Sequence, residues 1–131
     1  MKKVVIESPY AGDVAMNTEY ARRAMADCLR RGEAPFASHL LYTQPGILDD
    51  TIPEERKLGI DAGLIYASDA ELTAVYCDLG ITKGMMHGIK TAFKCERPIE
   101  VRMLNKERSL GEFVYWKTFI CLYIRRELSN V

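Results

Sequence analysis

The chain has 131 residues, of which 48% are hydrophobic, and its 18 basic residues balance its 18 acidic residues. A chain of this length can bury a substantial core as a single domain. A formal net charge of zero disfavours extended nucleic acid and membrane surfaces as partners, because both attract basic proteins.

The cysteines are widely separated along the chain and lie within apolar patterns (Cys28, Cys77, Cys95 and Cys121). The sequence contains no C-x-x-C pair, so we expect buried thiols in a reducing compartment and no metal site. No basic and apolar leader opens the chain, and the apolar stretch 113–124 is too short to span a bilayer. These features predict a cytoplasmic protein.

An apolar run over residues 3–7 predicts a buried first strand, and the turn sequence Ser8-Pro9-Tyr10-Ala11-Gly12-Asp13 follows it directly. Turn-forming residues at the carboxyl end of a strand leave backbone N–H groups and the Tyr10 hydroxyl free to face a small molecule. The same residues would suit a turn that binds nothing. Both interpretations stay open at this point.

Strand-like and helix-like periods then alternate. Apolar residues at helical spacing predict a first helix over residues 17–31, which Gly32 ends, and a short second strand over residues 34–38. Residues 39–50 have no clean period and contain Gln44-Pro45-Gly46, so they predict a long loop of the kind that often carries function.

A second helix is predicted over residues 51–66, with Thr51 as its N-cap, Pro53 in the first turn and Glu54 completing a capping box. Further patterns predict a third strand over residues 72–77, a third helix over 83–94 and a fourth strand over 98–103. A polar link over residues 105–109 leads to a closing helix over residues 111–127.

Strands that alternate with helices predict a three-layer parallel α/β domain, because βαβ connections within one sheet are almost always right-handed. We expect a flavodoxin-like sheet of four strands in the order 2-1-3-4, which places the loops 8–13 and 78–84 side by side. Residues 1–103 would form this domain. Residues 104–131 would add the polar link and the apolar helix to the same globule or to a dimer interface.

The closing helix is apolar almost all round, and such a helix must be buried on more than one side. One face can cover the sheet, and we expect the other to meet a second copy of the chain, since an exposed aromatic patch promotes aggregation. A homodimer through residues 111–127 is therefore predicted. Burial wholly within one chain is the alternative.

The sequence resembles the nucleoside 2-deoxyribosyltransferase-like superfamily, and in particular its small bacterial and phage members. The resemblance is carried by Ser8-Pro9-Tyr10-Ala11-Gly12-Asp13 after the first strand, by Asn17 and Ala21, and by Pro35-Phe36-x-Ser38-His39. It continues through Glu55-Arg56, Thr82-Lys83-Gly84 and Ala92, and covers about residues 3–103.

The resemblance implies a nucleoside site with Tyr10 in its floor and with Ser8 and Asp13 nearby. In that superfamily the helix after the third strand carries a nucleophilic glutamate, and counting from Gly84 and Ala92 places this position on Gly88. A glycine cannot attack an anomeric carbon, so we expect deoxyribosyl transfer between bases to be undetectable or very slow.

Other groups could carry chemistry. Asp13 and Asp78 are expected at the carboxyl edge of the sheet, where they could direct water, and His87 could donate a proton or contact a phosphate. Ordinary positions at a strand end or a helix surface would explain the same residues.

The residues predicted to bind the ligand are Ser8, Tyr10, Gly12, Asp13, His39, Glu55, Arg56, Thr82, Lys83 and Gly84. Of these, Arg56 and Lys83 could hold a phosphate together with a helix N-terminus. The sequence has no Walker-type loop and no G-x-G-x-x-G motif, which argues against an ATPase or a nicotinamide enzyme. We expect no cofactor and no metal.

Two functions remain open. The first is binding of a nucleoside- or nucleotide-derived small molecule, with N-glycosidic hydrolysis as a candidate activity. The second is a catalytically inert interaction or ligand-sequestering protein in a phage or host-conflict setting.

Overall fold

Parallel strands form the centre of the structure, a computed structural model that describes residues 1–107 and 110–130. The strands are β1 (Lys3–Glu7), β2 (Ala34–Phe36), β3 (Leu72–Tyr76) and β4 (Ile99–Arg102), and they pair in the order β2-β1-β3-β4. Each pairing is parallel, with Val5 opposite Phe36 on one side and Thr73 on the other. The predicted strand order is confirmed.

Helices cover both faces of this sheet. They are α1 (Val14–Arg30), α2 (Ser38–Leu41), α3 (Pro53–Tyr66), α4 (Lys83–Lys94) and α5 (Leu110–Ser129). The α1 helix packs on one face, where Tyr20 joins Val4 and Ile6 in a buried cluster. The α4 and α5 helices pack on the opposite face, where Met85 and Ile120 bury Val75. The predicted three-layer α/β fold with a C-terminal helix is confirmed.

Side chains of β1 alternate between these two faces, as they must in a pleated strand. Val4 and Ile6 are buried beneath α1, whereas Val5 and Glu7 point to the face that carries α4. The alternation therefore places a glutamate at the end of β1 on the α4 side of the sheet.

The second helix begins differently from the prediction. Residue Ile52 is its N-cap and makes no side-chain capping bond, so the predicted Thr51 cap is wrong. The Thr51 hydroxyl and its backbone N–H both donate to the Asp49 carboxylate, at 2.6 and 2.9 Å. This local turn competes successfully with capping of the helix. Pro53 does lie in the first turn, as expected.

The predicted loop over residues 39–50 is wrong at its start, because α2 occupies residues 38–41. One turn of helix is too short to show a hydrophobic period in the sequence. The position of α2 is set instead by its packing against α3.

The expectation of four buried thiols is half wrong. Cys28 and Cys77 are buried, but Cys95 and Cys121 are exposed. Cys95 is the C-cap of α4. Cys121 follows the buried Ile120 on α5 and lies outside the stripe that faces the core.

Only one stripe of α5 packs against the sheet, formed by Phe113, Trp116, Ile120 and Ile124. The apolar residues Val114, Tyr115, Phe119 and Leu122 remain exposed.

The predicted polar link over residues 105–109 lies partly outside the described residues, which omit 108 and 109. Among the described helices, none combines the length and apolar character that crossing a membrane requires.

Candidate functional site

A cleft of about 500 Å³ opens at the carboxyl end of β1, between α3 and α4. Val5, Glu7 and Ser8 lie along its floor, and the turn that follows contributes Tyr10. Open α/β sheets bind ligands at this edge of the sheet, and the volume is that of a typical small-molecule site. The cleft is therefore the candidate functional site.

Two glycines in α3 allow this helix to approach its neighbours closely. A Cβ atom on Gly63 would lie 2.8 Å from the Cβ atom of Ser38, and one on Gly59 would lie 3.2 Å from a methyl group of Leu48. A larger residue at position 63 would push α2 away, so Gly63 fixes the position of α2 and of the histidine that α2 carries.

That histidine is His39, whose Nε2 atom shares a hydrogen bond of 2.7 Å with the Ser8 hydroxyl. Burial lowers the pKa of His39 to about 4. The imidazole is consequently neutral at pH 7, and a neutral imidazole can both donate and accept a hydrogen bond. The pair joins the end of β1 to α2 within the wall of the cleft.

Glu7 is a cleft residue that the sequence analysis missed. A Cβ atom on Gly88 would lie 1.9 Å from Oε1 of Glu7 and 2.6 Å from Oε2, so the carboxyl group fills the space that the glycine leaves open. Burial raises the pKa of Glu7 to about 8, although the charge of Arg97 opposes the shift. A lone charged residue at the end of an apolar strand was the available signal.

Arg97 is a second missed residue and lies beside the cleft after α4. Its guanidinium donates to the backbone carbonyl groups of Ala67 and Ala70 and to the Thr73 hydroxyl. Glu96, the preceding residue, has a φ of +57°, the left-handed conformation that turns the chain at this point. The predicted helices and strands gave no indication of these contacts of Arg97.

The mouth of the cleft is polar. Arg56 donates to the Asp50 carboxylate at 2.7 Å, and its Nη2 atom lies 3.7 Å from the place that a Cβ atom on Gly84 would take. Glu55 accepts the backbone N–H of Asp49 at 3.2 Å. Arg56 therefore reaches from α3 toward the start of α4 across the opening.

Most of the predicted site residues meet in this cleft. It is lined by Ser8, Tyr10, His39, Glu55, Arg56, Thr82, Lys83, Gly84 and His87. Thr82 also caps α4 by accepting the backbone N–H of Met85 at 3.3 Å. Additional polar lining comes from Ser38, Asp50 and Thr91.

Gly12, Asp13 and Asp78 lie outside the lining of the cleft. Gly12 has a φ of +102°, and Asp13 caps α1 by accepting the backbone N–H of Met16 at 3.1 Å. Both belong to the turn that starts α1. Their functional roles stay predictions, and the contacts of these two residues are those of a helix start.

Asp78 has its oxygens engaged elsewhere. It accepts the Tyr20 hydroxyl at 2.5 Å and the backbone N–H groups of Leu104 and Asn105 at 2.7 and 2.9 Å. The carboxylate thus joins the end of β3 to α1 and to the segment after β4. Its predicted catalytic role remains untested.

Over residues 1–107 and 110–130, no group of three or more histidine, cysteine, aspartate or glutamate side chains is arranged to hold a metal ion.

The sheet order and the cleft at its carboxyl edge define a doubly wound α/β protein with a site of small-molecule size. Residues 2–102 match the family described as "Domain of unknown function (DUF7768)", and the chain belongs to that family. No curated protein matches the chain.

A solved structure with a similar fold is a 2-deoxyribosyltransferase from the psychrotolerant bacterium Bacillus psychrosaccharolyticus. The similarity covers 85% of this chain and 79% of that chain, with 15% sequence identity and a TM-score of 0.53. At this level of identity the likeness shows a shared fold.

Proposed function

We propose that the cleft binds a nucleoside- or nucleotide-derived small molecule. The observation that carries this proposal is a cleft of about 500 Å³ at the carboxyl end of β1, in a fold shared with a 2-deoxyribosyltransferase. The Tyr10 side chain and the paired Ser8 and His39 can donate and accept hydrogen bonds from sugar hydroxyls or a base. Phe36 adds apolar surface that suits a planar base.

A phosphate on the ligand would lie at the mouth of the cleft. Lys83 begins α4, and within the described part of the chain it forms no salt bridge. Its charge adds to the positive end of the helix dipole, whereas the charge of Arg56 is partly neutralised by Asp50. Lys83 is therefore the proposed phosphate contact.

A titration with isotopically labelled protein tests the proposal. Nucleosides and nucleoside monophosphates should perturb the backbone amides of residues 8–11, 38–43 and 82–88, while free sugar should perturb them far less. The Lys83→Gln variant should weaken binding of the monophosphate and leave binding of the nucleoside unchanged. Absence of binding across the panel at millimolar concentration would contradict the proposal.

Gly88 favours a second candidate function, in which the protein binds its ligand without turning it over. The α4 helix carries no carboxylate at this position, so a mechanism that depends on an α4 nucleophile has no group to perform it. A ligand-sequestering protein of a phage or its host would retain the cleft in this form. Release of free base from a bound nucleoside would exclude this candidate.

We also propose that two copies of the chain associate through α5, in the cytoplasm. The exposed Val114, Tyr115, Phe119 and Leu122 form the apolar surface that would be buried. The exposed thiols of Cys95 and Cys121 suit a reducing compartment, where they would remain unoxidised.

A further inference from the structure

The Glu7 carboxyl group lies at the floor of the cleft, where β1 ends and α4 passes above it. It lies against Gly88, and a Cβ atom at position 88 would be 2.2 Å from Cδ of Glu7, so the carboxyl group can lie here because residue 88 has no side chain. The two residues come from different layers of the fold. The carboxyl group is thus delivered from the sheet to the face of α4 that borders the cleft.

Within residues 1–107 and 110–130, the Glu7 carboxyl group has no hydrogen-bond partner and no salt bridge. Burial raises the pKa of Glu7 and the charge of Arg97 opposes this rise, but the guanidinium N–H groups of Arg97 donate to Ala67, Ala70 and Thr73 instead. Glu7 is partly buried, and moving a carboxyl group out of bulk water without a protein partner destabilises a fold. An unpaired carboxyl group of this kind in a cleft is a candidate contact for a ligand.

The other carboxylates around the cleft are occupied or remote. Asp50 pairs with Arg56, and Glu55 accepts the N–H of Asp49. Asp13 caps α1, outside the lining of the cleft. Among the described residues that line the cleft, Glu7 is the acidic group that faces the interior unpaired.

We infer that Glu7 is the catalytic carboxyl group of the cleft and acts as acid and then base in hydrolysis of the N-glycosidic bond of the bound nucleoside. This inference rests on the proposed binding function. Glu7 donates its proton to a ring nitrogen of the base while the bond from the base to the anomeric carbon breaks, and the bonding electron pair leaves with the base. A water oxygen then bonds to the anomeric carbon, and a proton of that water returns to the Glu7 carboxylate.

The surroundings of Glu7 support this role. Its pKa of about 8 keeps the carboxyl group protonated at neutral pH, as a proton donor requires. Besides Glu7, the charged and titratable groups that line the cleft are Tyr10 after β1, His39 from α2, Tyr42 and Asp50 from the segment before α3, Glu55 and Arg56 from α3, Lys83 and His87 from α4, and Arg97 after α4. His39 is uncharged at neutral pH, and it can therefore hydrogen-bond the ligand without competing as an acid.

The test compares the whole chain with its Glu7→Gln variant, using the nucleoside that binds best in the titration above. Glutamine has the shape of the protonated carboxyl group but cannot transfer a proton. We expect release of free base from the unaltered chain and a fall in kcat of about 100-fold or more in the variant, with the affinity for the nucleoside changed less than about threefold. Glu54→Gln is the matched control, because Glu54 is exposed on the first turn of α3 and lies outside the lining.

A pH profile provides a second measurement that a merely structural role of Glu7 would not affect. The kcat/KM of the unaltered chain should fall about tenfold per pH unit above pH 8, and the residual rate of Glu7→Gln should lack this limb. A nucleoside that binds without release of base would overturn the inference and leave the proposed function standing. Equal rates for the unaltered chain and Glu7→Gln would also overturn it, whereas failure of every nucleoside to bind overturns the proposed function first.

Discussion

The Oε1 atom of Glu7 occupies a point 1.9 Å from where a Cβ atom on Gly88 would stand. No two atoms of this kind can share that space, so the carboxyl group at the end of β1 and a side chain at this position of α4 exclude each other. Gly88 gives α4 no side chain at this position and thereby leaves room for an acidic group from β1. The chemistry available to the cleft depends on both residues together.

We expect Gly88→Ala to move the Glu7 carboxyl group toward the open cleft. The new methyl group would occupy its place, and a carboxyl group with more solvent around it has a pKa closer to its ordinary value. Titration of the Glu7 carboxyl carbon by NMR should give a midpoint of about 8 in the unaltered chain and a clearly lower midpoint in Gly88→Ala.

Gly84→Ala is the matched control on the same helix. A Cβ atom on Gly84 meets Arg56 at 3.7 Å and Thr82 at 3.9 Å, which are ordinary contacts. This variant should leave the Glu7 midpoint in place. An unchanged midpoint in Gly88→Ala would show that the carboxyl group does not lie against position 88.

Glu7 should also make the stability of the fold depend on pH. Its pKa is raised from 4.5 to about 8 on folding, so its contribution is fully present below pH 4.5 and is lost as the pH rises to 8 and beyond. Urea unfolding should show that the unaltered chain loses stability relative to Glu7→Gln between pH 5 and pH 8, by roughly 2 to 4 kcal/mol. Parallel pH dependences of the two proteins would contradict the burial of this carboxyl group.

His39 should make stability depend on pH in the opposite direction to Glu7. Its pKa falls from 6.5 to about 4 on folding, so its contribution to stability is fully present above pH 6.5 and is lost as the pH falls toward 4. The ring proton signals of His39 should therefore stay constant between pH 8 and pH 5.5 in the folded protein. A titration midpoint near 6.5 would show that the ring is solvated and that the hydrogen bond to Ser8 does not hold it inside the wall.

The sequence predicted the parts of this fold that local patterns determine. Alternating strand and helix periods, together with the turn residues, were sufficient to predict the four parallel strands and their order in the sheet. Right-handed crossovers and short connections leave few possible strand orders. The turn at residues 8–13 and the start of α4 were expected to border one site, and Tyr10 and Lys83 do line the same cleft. Their positions could be predicted because each lies in a segment that follows the end of a strand.

The decisive contact of the cleft could not be predicted in this way. Gly88 was visible as a position without a side chain, but the group that fills the space comes from β1, and only the packing of α4 on the sheet brings the two together. Arg97 escaped notice for a similar reason, since its partners are backbone carbonyl groups of the segment that follows α3 and the Thr73 hydroxyl on β3. Asp78 was expected in the site because it ends a strand, yet its oxygens turn toward α1 and residues 104–105.

The exposed side of α5 leads to a prediction about assembly. Light scattering at micromolar concentration should give twice the 14.9 kDa mass of the chain, because association would bury this apolar surface. Tyr115 and Leu122 are each 58% exposed and lie two turns apart on one side of the helix, whereas Trp116 packs against the core. Changing both Tyr115 and Leu122 to serine should give a folded monomer.

Leu29→Ser on α1 is the control, because Leu29 is an apolar residue of similar exposure, at 56%, on a different face. Its mass should remain that of the unaltered chain. A soluble monomer before any change would end the proposal that α5 forms an interface.

The final prediction separates proton donation by Glu7 from covalent attack by it. Attack on an anomeric carbon requires the ionised carboxylate, and with a pKa of about 8 only about a tenth of Glu7 is ionised at pH 7. We therefore expect that a 2-fluoro-substituted nucleoside adds no sugar mass to the intact chain, and that transfer of deoxyribose to a second base is undetectable. Release of free base from ordinary nucleosides with an unmodified chain mass is the pattern that hydrolysis by water predicts. A stable adduct mapped to Glu7 would show instead that β1 supplies the nucleophile that α4 lacks, and a covalent mechanism would then replace the acid and base roles assigned to Glu7.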